Sequence, residues 1–249
     1  MSNRFCILNL FKKAFTLSES LIVIAILGVV ATLTIVTLSG NSHKRHIVTT
    51  VSSNYSILNR AYDLAVINKD NPTNWQLGKG LSQRDMSIRL ANYFKPYLFV
   101  GEDCTTQNIE YTRNNCYREI SDDSEFVYLV LANGYILGFS AIDPDCNDDT
   151  FFTDAKVCGE IDLLLDTNSK LYGRNVFQFF VTTKGVLPFG LQGANQTFKA
   201  GCNINTSTPY SKPFYDMSTC TAWVIYRENM DYLECPEKLD WNASSECKN

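Results

Sequence analysis

The sequence predicts an α+β fold in which a long N-terminal helix, a membrane half followed by an amphipathic half, packs on an antiparallel β-sheet stapled by disulfides. Three observations carry that expectation. Leu21 to Leu38 is a run of eighteen residues without a charge, and an apolar seam at spacings of three and four follows it. Two pairs of apolar runs turn at Asn133-Gly134 and at Lys184-Gly185. Eight of the nine cysteines lie beyond residue 100.

The helix comes first. Counted with Phe15 to Ser20, the uncharged run is long enough to span hydrocarbon, which takes roughly 20 helical residues. Glu19 is the only ionisable group between Lys13 and His43. A carboxylate at membrane depth costs about 2.5 kcal/mol or more, so it normally faces a partner rather than lipid. A cut between Ala14 and Phe15 would create an α-amino group one helical turn from Glu19. An identical neighbour, shifted along a common axis, would bring that amine beside the carboxylate and neutralise both charges in low dielectric. Farther on, Val48, Val51, Tyr55, Leu58, Tyr62 and Ala65 share one helical face, with Ser52, Ser53, Asn54, Asn59, Arg60 and Asp63 off it. The pattern predicts a helix from Phe15 to about Ile67, on the order of 80 Å long, ended by Asp70, Asn71 and Pro72.

The string Lys12-Lys13-Ala14-Phe15-Thr16-Leu17-Ser18-Glu19 resembles the leader junction of the type IV prepilins, the family that includes type II secretion pseudopilins and competence pilins. The likeness covers the first 40 or so residues. It implies that a membrane peptidase cuts between Ala14 and Phe15, that the same enzyme methylates Phe15, and that Glu19 is the assembly carboxylate guiding subunits into a helical filament. The family usually has Gly where Ala14 stands, and many members have Pro near the position of Val36, whereas the first Pro here is Pro72. The implied organisation is a leader at 1–14, a spine helix at 15–67 with its transmembrane part at about 15–38, and a globular exported domain at 68–249.

The resemblance further implies a structural subunit of a type IV pilus-like or pseudopilus filament. Its partners would be identical or related pilin subunits, the prepilin peptidase, the inner-membrane assembly machinery and, before assembly, membrane lipid. Its place would be the inner membrane, crossed once with the C-terminal domain outside the cytoplasm, and then an extracellular or periplasmic filament. The alternatives are a monomeric membrane-anchored extracytoplasmic binding domain and a DNA-binding minor pilin of the competence type. Charge argues against nucleic acid. The formal net charge of −4 falls to −7 when Arg4, Lys12 and Lys13 leave with the leader, and an acidic chain has no general attraction for phosphates. The nearest aromatic and basic patch, Tyr210, Lys212, Phe214 and Tyr215, holds a single positive charge and reads as loop packing.

The remaining elements follow in order. Ser82 and Asp85 have capping-box spacing and Pro96 is a stop, which predicts a helix from Ser82 to about Phe94. Gly101 to Glu119 reads as an irregular loop. Phe126 to Ile142 predicts a hairpin with a type I′ turn at Asn133-Gly134, and Val176 to Gly190 a second hairpin. Thr221 to Leu233 is expected to begin as a strand and to finish as a turn or short helix. Apart from Cys6 in the leader, the cysteines form an even set, as in an exported disulfide framework. Among the 105 ways to pair eight cysteines, spacing favours Cys104 with Cys116, Cys146 with Cys158, Cys202 with Cys220 and Cys235 with Cys247, each loop contributing about 3 kcal/mol. A zinc site would need close Cys pairs, and the sequence has none.

Asp143, Asp145, Asn147 and Asp149, with Asp154 beyond them, place alternate oxygens as calcium requires, and a bridge from Cys146 to Cys158 would hold that loop. The competing reading is a solvated acidic loop; Asp162, Asp166 and Asn168 make a weaker second cluster. No cofactor is required. An enzyme is not expected: His43 and His46 are the only histidines, in a basic run beside the apolar segment, and GxSxG, HExxH, P-loop and GxGxxG strings are all missing.

Overall fold

A computed structural model of the chain describes residues 17–122, 124–166, 171–202 and 218–247. The chain divides into two units, Met1–His43 and Lys44–Asn249. Helix α1, Leu17–Lys69, contributes residues to both.

The second unit is built on a six-stranded antiparallel sheet whose strands follow one another in chain order. They are β1 Val100–Asp103, β2 Val127–Leu131, β3 Ile136–Ala141, β4 Val157–Leu164, β5 Val176–Thr182 and β6 Gly185–Pro188. Side chains alternate across a strand, so register decides which residues share a face. Phe139 pairs with Ile161, which pairs with Phe179, and these join Leu129, Leu137, Leu163 and Phe177 in the main core. Tyr128, Ile136, Leu164 and Val176 point to the other face, into a smaller cluster with Tyr117 and the Cys104–Cys116 bridge. Phe180 joins Phe151, Phe152 and Phe189 in a third.

From Lys44 onward, α1 closes the main core with one face. Val48, Val51, Leu58, Tyr62 and Ala65 are buried, and burial of a Val or Leu side chain is worth about 1.5–3 kcal/mol. Tyr55 stacks on Phe179 with ring centres 5.5 Å apart, and the Tyr62 hydroxyl donates to the Thr182 carbonyl at 2.9 Å. Ser53, Arg60 and Asp63 face out. Asn54, expected off the seam, is buried as well and donates its side-chain amide to the Thr50 carbonyl. The helix stops at Lys69, where Asp70 takes φ 77°.

Helix α2, Gln83–Phe94, lies on the same face. Ser82 caps it, accepting from the Asp85 amide at 3.1 Å. Ser87 accepts from the Ala141 amide at 3.0 Å, and Gln83 donates to the Ala141 carbonyl. The approach needs Gly159: a Cβ there would lie 2.5 Å from the Ser140 carbonyl oxygen and 2.4 Å from the Leu90 side chain.

Several expectations are corrected. The fold class is α+β with a disulfide-stapled antiparallel sheet, but the membrane half of the N-terminal helix is overturned: among the described residues no helix is long and apolar enough to cross a membrane. Thr221 to Leu233 begins as helix α5, Cys220–Arg227, whose core residues Cys220, Trp223 and Val224 stand at the i, i+3, i+4 spacing of one helical face. Gly101 to Glu119 holds β1 and helix α3, Ile109–Asn115, capped by Asn108 accepting from the Tyr111 amide at 2.8 Å. At the first hairpin only Gly134 has positive φ, and the Tyr135 amide donates to the Asn133 side chain at 3.2 Å, a local bond that replaces the type I′ geometry. Strand β4, at the centre of the sheet, was not anticipated.

Gly159→Val should lower unfolding free energy by about 1–3 kcal/mol, the usual cost of overpacking a close contact, because the Ser140 carbonyl is backbone and cannot turn aside. A chemical denaturation midpoint unchanged from wild type would show that α2 and the sheet have slack.

Candidate assembly surface

In the first unit the apolar side chains of residues 21–30 are in the open. Leu21, Ile22, Ile24, Ile26, Leu27 and Val29 are 59–67% exposed, Val23 47% and Val30 52%. At 100° per residue these positions go all the way round α1. The contrast with 48–65 decides what each half is for: one face is apolar there and it is buried, whereas here every face is apolar. A helix apolar all round belongs inside something larger, and exposed apolar area of this extent marks an interaction site. Its backbone groups bond within the helix, so the surface asks of a partner only apolar contact.

Glu19 lies in α1, two residues before this stretch; its side chain, and Ala14 and Phe15, lie outside the described residues, as do Tyr210, Lys212, Phe214 and Tyr215. His43 and His46 are both exposed on α1.

The cysteines are joined in order. Cys104–Cys116 closes the loop that carries α3, and Cys146–Cys158 ties the acidic loop to β4. Cys202–Cys220 links the end of the short helix α4, Phe198–Gly201, to the start of α5. Cys235–Cys247 closes the C-terminal loop, and Glu234 beside it forms an ion pair with Lys44 of α1. No thiol among these eight is free to act as a nucleophile.

The acidic loop is organised by bonds of its own. Lys79 pairs with Asp145 at 2.9 Å and Lys156 with Asp149 at 2.8 Å. Asp143 accepts from the Asp145 amide at 2.8 Å and Asp148 from the Thr150 amide at 2.7 Å. Asp149 has its carboxyl lowered below the ordinary carboxylate value by the Lys156 hydrogen bond and charge. Among the described residues no three His, Cys, Asp or Glu side chains converge as a metal site requires, and Asp154, exposed near the far end of the loop, joins no such group.

Two groupings escaped sequence reasoning. On β4, Glu160 and Asp162 point to the outer face of the sheet. Asp162 is buried and accepts from the Tyr172 hydroxyl at 2.9 Å, and the Gln178 amide donates to Glu160. Burial, and then the Asp162 charge, push the Tyr172 and Tyr128 hydroxyls upward, so both stay protonated. The i, i+2 spacing on an unrecognised strand was the signal. The second is an aromatic group around Arg227: its guanidinium carbon lies 5.6 Å from the Trp223 ring centre and 5.3 Å from that of Trp241. Trp223 and Arg227 are one turn apart on a helix that was expected to begin as a strand, and Trp241 comes from a loop fourteen residues past Arg227, so no local pattern joins the three.

No family model, curated protein or solved structure matches this chain.

Lys156→Ala should return the Asp149 carboxyl towards its ordinary 3.8. A lowered folded value contributes stability above the unfolded value that is lost as pH falls through the folded one; the variant should therefore differ from wild type in stability above pH 4 and converge with it at lower pH. Carboxyl NMR titration measures the first effect, and an unchanged Asp149 midpoint would show that the ion pair is not populated in solution.

Proposed function

We propose that the chain is an exported filament subunit, resembling the type IV pilins and pseudopilins, that assembles through the N-terminal segment of α1. One observation carries the proposal: apolar side chains exposed on every face of residues 21–30, directly after the Ala14-Phe15 junction and Glu19. In this reading the leader is removed and Phe15 methylated by a prepilin peptidase at the inner membrane, with the cystine-bearing domain outside the cytoplasm. Identical or related subunits then surround the apolar segment, guided by an assembly machine. Four disulfides support the exported setting, since such bonds persist in oxidising compartments.

Assembly divides the chemistry between two terms. Apolar area removed from water supplies roughly 25 cal/mol per Å² without setting register. Register comes from Glu19: its carboxylate, brought into low dielectric, is stabilised only where a positive group meets it, and the new α-amino group of Phe15 in a sister chain is that group. A copy seated one residue out of place loses the charge pair while keeping most of the apolar contact.

Mass spectrometry of the N-terminal peptide should find a chain beginning at methylated Phe15; an intact Met1 in cells with an active peptidase overturns the processing step. Glu19→Ala should yield a folded, processed protein that fails to enter filaments, and normal incorporation would remove Glu19 from the mechanism.

A further inference from the structure

We propose that Arg227 and Trp241 form a binding site for an organic carboxylate, a small acid or an acidic sugar. The inference stands apart from the filament reading and rests on the C-terminal third of the chain.

Trp223 and Arg227 lie one turn apart on α5. Trp241 comes from the loop closed by Cys235–Cys247, and its ring centre is 5.1 Å from that of Trp223. Arg227 lies against both rings, an arrangement that favours the cation. One guanidinium nitrogen, Nη2, donates to the Trp241 carbonyl. Yet no carboxylate pairs with Arg227 among the described residues. Its Nε–H and the Trp241 Nε1–H are both buried without an acceptor.

Two shielded donors, beside a positive charge that pairs with no carboxylate among the described residues, define what fits. Buried N–H groups are nearly always bonded, and leaving one unmet costs about 1–3 kcal/mol. A guanidinium presents its donors as a fork matched to the two oxygens of a carboxylate, and charge-assisted bonds of this kind are about twice as strong as neutral ones. Tyr226, 52% exposed, sets its ring across that of Trp241 at 6.5 Å and offers an apolar face to the body of the ligand. Because both donors are screened from water, the ligand reaches them only with a local side-chain shift, and once there it binds in a dielectric that strengthens the bonds.

The surroundings hold the site in place. Asn229 accepts from Trp223 Nε1 at 2.9 Å and donates to the carbonyls of Arg227 and Ser245. Lys199 pairs with Asp240 at 3.2 Å, next to Trp241. Gln192 donates to Asn242 at 2.7 Å. The loop residues on either side of Trp241 are thus tied to the rest of the domain.

The three tryptophans supply the test, because two of the indole N–H groups are already occupied: Trp75 donates to the Asp70 carbonyl at 2.8 Å and Trp223 to Asn229. In the disulfide-intact full chain labelled with ¹⁵N-tryptophan, sodium acetate and sodium glucuronate are titrated against sodium chloride at equal ionic strength. The expected result is a saturable downfield displacement of the Trp241 indole signal by both carboxylates, with Trp75 unmoved. Tighter binding of glucuronate assigns the site to an acidic sugar, and equal binding assigns it to the carboxylate alone. Arg227→Gln should weaken binding roughly tenfold or more, the loss expected for a hydrogen bond to a charged group. Arg227→Lys keeps the charge without the fork and should weaken it several-fold even where the Gln variant folds poorly. The proposal is overturned if the Trp241 signal does not move, if chloride moves it equally, or if Arg227→Lys binds as wild type does.

Discussion

Removal of apolar surface from water governs α1, and it does so in two different ways along one helix. In residues 48–65 the apolar positions recur at three and four, collect on one face, and are buried against β5 and the rest of the core. In residues 21–30 they fall on every face and stay exposed. Backbone hydrogen bonding is satisfied within the helix in both halves, so only the side chains distinguish them. The domain can complete the first half by itself. The second half it cannot complete, and the proposed assembly follows from that shortfall.

Within the domain, order comes from close approach as much as from area. α2 sits against the sheet because Gly159 has no Cβ to meet the Leu90 side chain of α2, which a Cβ would approach to 2.4 Å. At Gly190, φ 91°, a Cβ would lie 1.8 Å from the Thr219 carbonyl oxygen, just ahead of α5, so only glycine permits that approach. The Cys202–Cys220 bridge fixes the same region covalently. These contacts position Trp223 and Arg227, and the Cys235–Cys247 loop brings Trp241 to them. The exposed helix segment and the Arg227 group are therefore independent features with different chemistry, one apolar and the other cationic.

The parts of this fold that were legible in sequence are those set by local rules. The α1 seam, the Ser82 cap of α2 and the paired apolar runs of β2–β3 and β5–β6 each follow from a period or from one residue's stereochemistry. In-order disulfides follow from spacing, since short loops close at little cost. What was missed depends on tertiary placement. β4 carries Glu160 and Asp162 within an apolar strand, which disguises it, and its partners on both sides are what make it a strand. The residues of α5 suit a sheet by composition, yet Cys220, Trp223 and Val224 enter the main core at helical spacing. In the acidic loop the carboxylates alternate as expected, and what no local pattern shows is that Lys79, distant in sequence, pairs with Asp145 while Lys156 pairs with Asp149. The length of the apolar run predicts a span, whereas among the described residues no helix is long and apolar enough to cross a membrane.

Photo-crosslinking from the exposed segment tests the central claim most directly. A benzophenone side chain placed at Val23, which points outward on α1, should join chain to sister chain when cells producing the protein are irradiated, giving an adduct of twice the mass of the processed subunit. Adducts only to unrelated molecules, or none under conditions where the wild-type protein is fully exported, would contradict the account.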